Sequence, residues 1–246
     1  MICYDQRVKC SKFNILGARA DFSAETIVYI CNMYRHFIFD IDGTLIDTEK
    51  TGILSLMDTV RDLMGREMPY DEAYPYFGIP SNKVGPLLGY EDNERFCHEW
   101  EQNFIRLSYY IQPFEGVSEI LREIKAAGRT IGCVTSRNRF EFNKDEHLKK
   151  ILCYFDHTIC SEDSEKHKPD PDPMYAYMKK AEDASGQAVD PKECIFIGDT
   201  MHDWQCGHSA GCDFALADWR SRGLQGIPAE FHFQKTEEIL TLLECL

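Results

Sequence analysis

Apolar positions along this chain follow two different rhythms. Ile53, Leu56, Met57, Val60, Leu63 and Met64 recur at intervals of three and four, and Phe96, Trp100, Phe104 and Leu107 repeat the pattern. That spacing lines one face of a helix. Between the two stretches, Pro69, Gly78, Pro80, Gly85, Pro86 and Gly89 cut the chain into pieces too short for long strands. Residues 49–112 therefore predict an all-helical insert. Outside it the rhythm alternates. The run His36-Phe37-Ile38-Phe39 ends at Asp40. From Pro113 onward, Val117, Ile120, Leu121 and Ile124 mark a helix closed by Gly128, and Thr130-Ile131-Gly132-Cys133-Val134 reads as a strand buried on both faces. A helix around 148–152, a strand at 157–160, a helix near 174–184 and strands at 194–197 and 213–217 follow, and Ile239, Leu242, Leu243 and Leu246 give a closing helix. Strands alternating with helices predict an α/β fold whose parallel sheet is covered on both faces. Its core is expected to comprise residues 33–48 and 113–246.

Residues 1–32 carry no such pattern. Charged residues are scattered through them, and the short apolar run 27–31 lacks the flanks of a signal peptide. Clear patterning begins at Tyr34, just after Met33, so residues 1–32 read as an extension upstream of the functional chain.

A length of 246 residues with 43% hydrophobic content suits one enzyme-sized unit with a second small subdomain. The formal charge of −14 disfavours a nucleic-acid partner, since no basic patch interrupts it. Eleven cysteines, an odd number with no CxxC pair, fit neither a disulfide framework nor a zinc ribbon and suggest reduced thiols in a cytoplasmic protein. No apolar run reaches the roughly 18–20 residues that span a bilayer, so no membrane association is expected.

Four polar clusters fall just beyond predicted strands, at the sheet edge where open parallel sheets bind ligands. In Asp40-Ile41-Asp42-Gly43-Thr44-Leu45, two carboxylates two residues apart leave the same side of an extended chain. Asp40 suits nucleophilic attack on a phosphate ester, forming a mixed anhydride that water later cleaves. Asp42 suits the proton transfers. Alone, Asp-x-Asp-Gly also fits a turn or part of a calcium loop. Thr135 and Ser136 offer a hydroxyl and backbone N–H groups to phosphoryl oxygens, although both residue types are ordinary helix caps. Lys168, followed by Pro169-Asp170-Pro171, can neutralise charge on a transferring phosphoryl group. In Gly198-Asp199-Thr200-Met201-His202-Asp203, the carboxylates lie four apart, on one face of any helix that starts there. Oxygen ligands from Asp40 and Asp199 suit magnesium.

In this order, the four clusters resemble the motifs of the haloacid dehalogenase (HAD) superfamily, over residues 36 to about 218. The resemblance implies a Rossmann-like three-layer core with a helical cap at 49–112, as in the subgroup of phosphoglycolate phosphatases, pyrophosphatases and β-phosphoglucomutases. It makes Asp40 the nucleophile, Asp42 the general acid and base, and Thr135 and Lys168 the phosphate holders, with Ser136 beside them. Magnesium would be held by Asp40, Asp199, the Asp42 backbone carbonyl and, from close by, Asp203. The second aspartate is absent from true haloacid dehalogenases, so Asp42 points to phosphate-ester chemistry. The expected activity is magnesium-dependent hydrolysis of a small phosphorylated metabolite. The phosphomutases tend to carry an arginine within the segment matching 77–83, and this chain does not, which favours a hydrolase. A β-phosphoglucomutase-like phosphomutase and a non-catalytic phosphate sensor are the alternatives. Lys83 is a candidate contact for an anionic substrate group, and Arg137 and Arg139 add charge suited to a doubly anionic substrate. Neither motif nor composition decides between monomer and homodimer.

Overall fold

The computed structural model of the protein describes residues 14–15, 18–19, 34–79, 81–220 and 226–243. Two short strands, β1 (Asn14–Ile15) and β2 (Ala18–Arg19), pair antiparallel. The remainder of the stretch 1–32, and with it the expectation of an upstream extension, lies outside the described residues.

Strand β3 (His36–Phe39) leads into a junction strand, β4 (Ile46–Asp47), which pairs antiparallel with β5 (Gln112–Pro113). Strands β6 (Thr130–Val134), β7 (His157–Ile159), β8 (Cys194–Gly198), β9 (Asp213–Ala217) and β10 (Phe231–Phe233) follow. Six strands form one sheet in the order β10-β9-β8-β3-β6-β7, and every neighbouring pair is parallel.

The two-residue period of a strand sends successive side chains to opposite faces. Phe37 and Phe39 of β3 join one hydrophobic cluster and Ile38 joins another; Ile195 and Ile197 of β8 separate from Cys194 and Phe196 in the same way. Helix α5 (Val117–Ala126) covers the first face with Val117, Ile120, Leu121 and Ile124. Helices α8 (Asp172–Ser185) and α9 (Met201–Ser209) cover the second with Met174, Tyr177, Met178 and Cys206. Burial of each large apolar side chain contributes about 1.5–3 kcal/mol. With both faces covered, the strands need no polar alternation, which is why they read as continuous apolar runs. Gly132 sits in the middle of β6 because a Cβ there would overlap the Tyr177 ring.

The stretch between β4 and β5 is helical: α1 (Glu49–Met64), α2 (Tyr70–Ala73), α3 (Ser81–Leu87) and α4 (Asn93–Arg106). Helix α1 ends where Gly65 takes a left-handed conformation and returns its N–H to the Arg61 carbonyl. Ile53, Leu56, Val60, Met68, Ala73, Val84 and Phe96 form a third cluster, distinct from the two that line the sheet. At the junction, Arg220 pairs with Asp47 and with Glu49 (2.5 Å), and its guanidinium lies over the Phe114 ring. One residue thus grips both the outgoing and the returning chain.

Several elements depart from the sequence expectation. The closing helix is a 3₁₀ stretch, Thr236–Leu242. The helix expected around 148–152 is the single turn α7 (Glu146–Lys149) followed by a 3₁₀ turn at Leu152–Tyr154. An additional helix, α6 (Arg139–Lys144), starts on a capping box in which Asn138 and Glu141 satisfy each other's backbone N–H groups. The edge strand β10 has only two inward residues, Phe231 and Phe233, around an outward His232. Among the described residues no helix is long and apolar enough to cross a membrane.

Candidate active site

The carboxyl ends of the central strands β3, β6 and β8 lie side by side, so Asp40, Thr135 and Asp199 emerge at the same sheet edge. The Asp40 N–H continues the ladder to the Ile197 carbonyl (2.9 Å). The chain then curls, and the Ile41 carbonyl accepts the N–H groups of Thr44, Leu45 and Ile46. Gly43, at φ +89°, makes this curl possible, and a Cβ there would overlap the Asp199 carboxylate. Trp219 Nε1 donates to the Thr44 carbonyl (2.8 Å) and fixes the loop from the far side.

Lys168 enters beneath this loop. Its Nζ donates to Asp40 Oδ1 and to Asp203 Oδ1, each at 2.6 Å, with all three side chains buried. Asp203 is itself fixed by the start of α9: the Thr200 hydroxyl accepts the Asp203 N–H (3.1 Å), and Asp203 Oδ2 accepts the Thr200 N–H (3.1 Å). Asp199 accepts from the Thr44 hydroxyl (3.3 Å). Oxygens of Asp40, Asp199 and Asp203 all lie within 4.8 Å of one another.

Lys168 bonds two of the three buried carboxylates of this group, Asp40 and Asp203. Burial, above all, pushes the Asp40 carboxyl up to about 7; Lys168 opposes the shift, and Asp203 and Asp42 add to it. Burial disfavours the charged Lys168 as well, but Asp203 and Asp40 outweigh it and hold the ammonium firmly protonated. Such a group of hard oxygen donors fits a divalent cation. Because a Cβ at Gly43 would overlap the Asp199 carboxylate, Gly43→Ala is expected to weaken divalent-cation binding at this group at least tenfold, roughly the effect of disturbing one metal-supporting contact. A magnesium titration of the variant checks this.

Asp42 takes a different partner. Arg137 Nε and Nη2 donate to its two oxygens (2.8 and 2.7 Å) in a forked pair, and Thr48 adds a hydroxyl at 2.7 Å. Arg137 Nη1 reaches Asp145 (2.7 Å). Burial pushes the Asp42 carboxyl up, yet the charge and hydrogen bonds of Arg137 overrule it and hold the group below its ordinary range. Of the side chains expected at the metal, Asp40, Asp199 and Asp203 converge; Asp42, expected there through its backbone carbonyl, gives its carboxylate to Arg137.

Residues 37–217 match the family model described as haloacid dehalogenase-like hydrolase. The chain belongs to the haloacid dehalogenase-like hydrolases. The pyrophosphatase PpaX of Bacillus velezensis is 28% identical over 207 residues, which cover 82% of this chain and 93% of that protein. A putative phosphoglycolate phosphatase from Lactobacillus plantarum superposes with a TM-score of 0.75 at 25% identity, over 85% of this chain and 99% of that one. A β-phosphoglucomutase from Clostridium difficile gives 0.69 at 19% identity, over 84% and 93%, a likeness of fold.

Above the carboxylates of this hydrolase lies a cavity of about 700 Å³, walled by the helical insert on one side and by α6 and its approach on the other. Asp40, Asp42, Ser136, Arg137, Lys168 and Asp203 all face it. Thr135 lies below, buried, its hydroxyl accepting the Arg137 N–H at 3.1 Å. The other expected anion contacts lie elsewhere. Arg139 bonds the Thr158 hydroxyl (3.1 Å) and pairs with Asp163. Lys83 is exposed and borders a separate cleft with Glu165 and Asp170. Sequence reasoning missed the Arg137 clamp. Asp145, the other anchor of that clamp, also caps α7 through the N–H groups of His147 and Leu148.

Proposed function

We propose that this hydrolase is a magnesium-dependent phosphatase acting on a small phosphorylated metabolite through an aspartyl-phosphate on Asp40. The observation that carries the reading is the convergence of Asp40, Asp199 and Asp203, with Lys168 bonded to the first and last of them, where Asp40, Asp203 and Lys168 line a cavity. The phosphatase names of the Bacillus and Lactobacillus relatives support it. Asp40, Asp199 and Asp203 would hold the ion, which when bound supplies positive charge for the phosphoryl oxygens.

An Asp40 carboxylate oxygen attacks phosphorus, and the bond from phosphorus to the ester oxygen breaks. Once released from Arg137, the buried Asp42 carboxylate takes up a proton from solvent and passes it to the departing alkoxide; Asp40 and Asp42 both line the cavity. Water then attacks the phosphorylated Asp40, Asp42 takes its proton, and phosphate leaves with Asp40 restored. Lys168 stays charged throughout and offsets the charge of the phosphoryl group, with Ser136 and the backbone after β6 supplying donors. The helical insert acts as a cap that keeps bulk water from the anhydride.

Phosphate release from a panel of phosphorylated acids, sugar phosphates, nucleotides and pyrophosphate, with magnesium and with chelator, tests this. Release that requires magnesium is expected. Release undiminished by chelator would refute the metal's part, and an isomerised sugar phosphate in place of free phosphate would show a mutase.

A further inference from the structure

The walls of the cavity differ sharply in chemistry. Its floor is the charged group just described. The side contributed by the helical insert presents Leu56, Phe77, Trp100, Phe104 and Ile105, and across from them Phe140 of α6 faces the same space. Among the described residues of the insert that line the cavity there is no lysine, arginine or histidine, and its one charged member is Glu101. On the core side, Arg137 is engaged by Asp42 and Asp145, Lys168 by Asp40 and Asp203, the Lys144 ammonium lies 3.9 Å from the centre of the Phe140 ring, and His147 and His202 complete the basic groups.

Two of these apolar side chains are more than half exposed, Ile105 at 51% and Phe140 at 57%. Large apolar groups left open on facing walls of one cavity mark a surface that a ligand covers. A volume near 700 Å³ also far exceeds what a phosphoryl group occupies and falls in the range of pockets that enclose a drug-sized molecule. A second phosphate or a carboxylate seated against the insert's wall would be desolvated beside Glu101, with no cation on that wall to meet it.

We infer that the substrate is a phosphate monoester of a bulky, uncharged and apolar alcohol, with an aromatic ring seated between the Trp100 and Phe104 wall and Phe140. This rests on the phosphatase reading of the same site and narrows it. It sets aside the doubly anionic substrates suggested by the arginines at 137 and 139.

The test compares 2-phenylethyl phosphate with ethyl phosphate and 2-phosphoglycolate, all alkyl esters, and with pyrophosphate, in the presence of magnesium. A kcat/KM roughly ten- to a hundredfold higher for the phenylethyl ester is expected from burial of one ring. Ile105→Lys, made at an exposed position, should shrink the preference over 2-phosphoglycolate at least fivefold. In parallel, calorimetry compares binding of 3-phenylpropylphosphonate and methylphosphonate to the magnesium-loaded protein, a readout independent of turnover. Tenfold tighter binding of the aromatic phosphonate supports the inference even if no ester is hydrolysed, in which case the phosphatase reading alone fails. Equal binding, or turnover that favours phosphoglycolate or pyrophosphate, overturns the inference and leaves the phosphatase reading standing.

Discussion

Asp40→Asn should lower kcat by about four to six orders of magnitude, the range seen when a covalent nucleophile is removed, while leaving the fold intact. The amide is nearly the same size and its oxygen can still accept the hydrogen bond that Lys168 now gives to Asp40 at 2.6 Å. Lys168 also keeps Asp203 as an anionic partner. Removing a carboxylate from a buried group that already repels itself relieves strain on the two that remain, so thermal stability in chelator should match or exceed wild type. Phosphate release and a melting curve on the same preparation decide it. Activity within tenfold of wild type would remove Asp40 as nucleophile, and loss of activity together with a collapsed melting point would make the residue structural.

Lys168→Met should do the opposite to stability. Methionine fills a similar space but leaves the buried Asp40 and Asp203 facing each other without the shared cation. Breaking a buried pair from one side costs about 3–5 kcal/mol, which in a chain of this size corresponds to a fall in Tm on the order of 10 °C. Turnover should drop by roughly 10²–10³, the cost of one preorganised charge contact to a transition state. Magnesium provides the discriminating measurement. A ligand that binds only the folded state raises Tm, and in the variant it also restores positive charge to the carboxylates. The Tm gain on adding magnesium should therefore be larger for Lys168→Met than for wild type. An unchanged melting point in chelator would mean that the triad of charges carries no weight in the fold.

The chain announces its chemistry where local order dictates position. Asp40 and Asp199 each follow a short apolar strand, and a residue that ends a central parallel strand can go nowhere but the sheet edge. The insert was legible for the same reason, since the helical spacing of Ile53, Leu56 and Val60 returns as their shared cluster. Arg137 was not legible. It and Arg139 stand two residues apart in one polar stretch, and nothing local tells them apart. What separates them is Asp42, 95 residues away in sequence, which takes one guanidinium, while Asp163 takes the other. The edge strand β10 was hidden by its brevity, with one outward histidine between two phenylalanines. Strands β4 and β5 offer only two residues each, too few for any period to show.

That two-residue ladder has a wider consequence. The chain departs at Asp47 and comes back at Gln112 beside it, so the stretch beyond Thr48 and Glu49, which bond Asp42 and Arg220, can change length or sequence without displacing the strand that leads to Asp40. The insert's packing is largely self-contained. The carboxylates and most of the apolar wall are thereby written in separate stretches of the gene, with Phe140 the core's share of that wall, and drift in one need not disturb the other. Grafting a foreign insert between residues 49 and 112 is the engineering counterpart: under the proposed phosphatase activity, it would retune which alcohol departs while the phosphorus sees the same carboxylates.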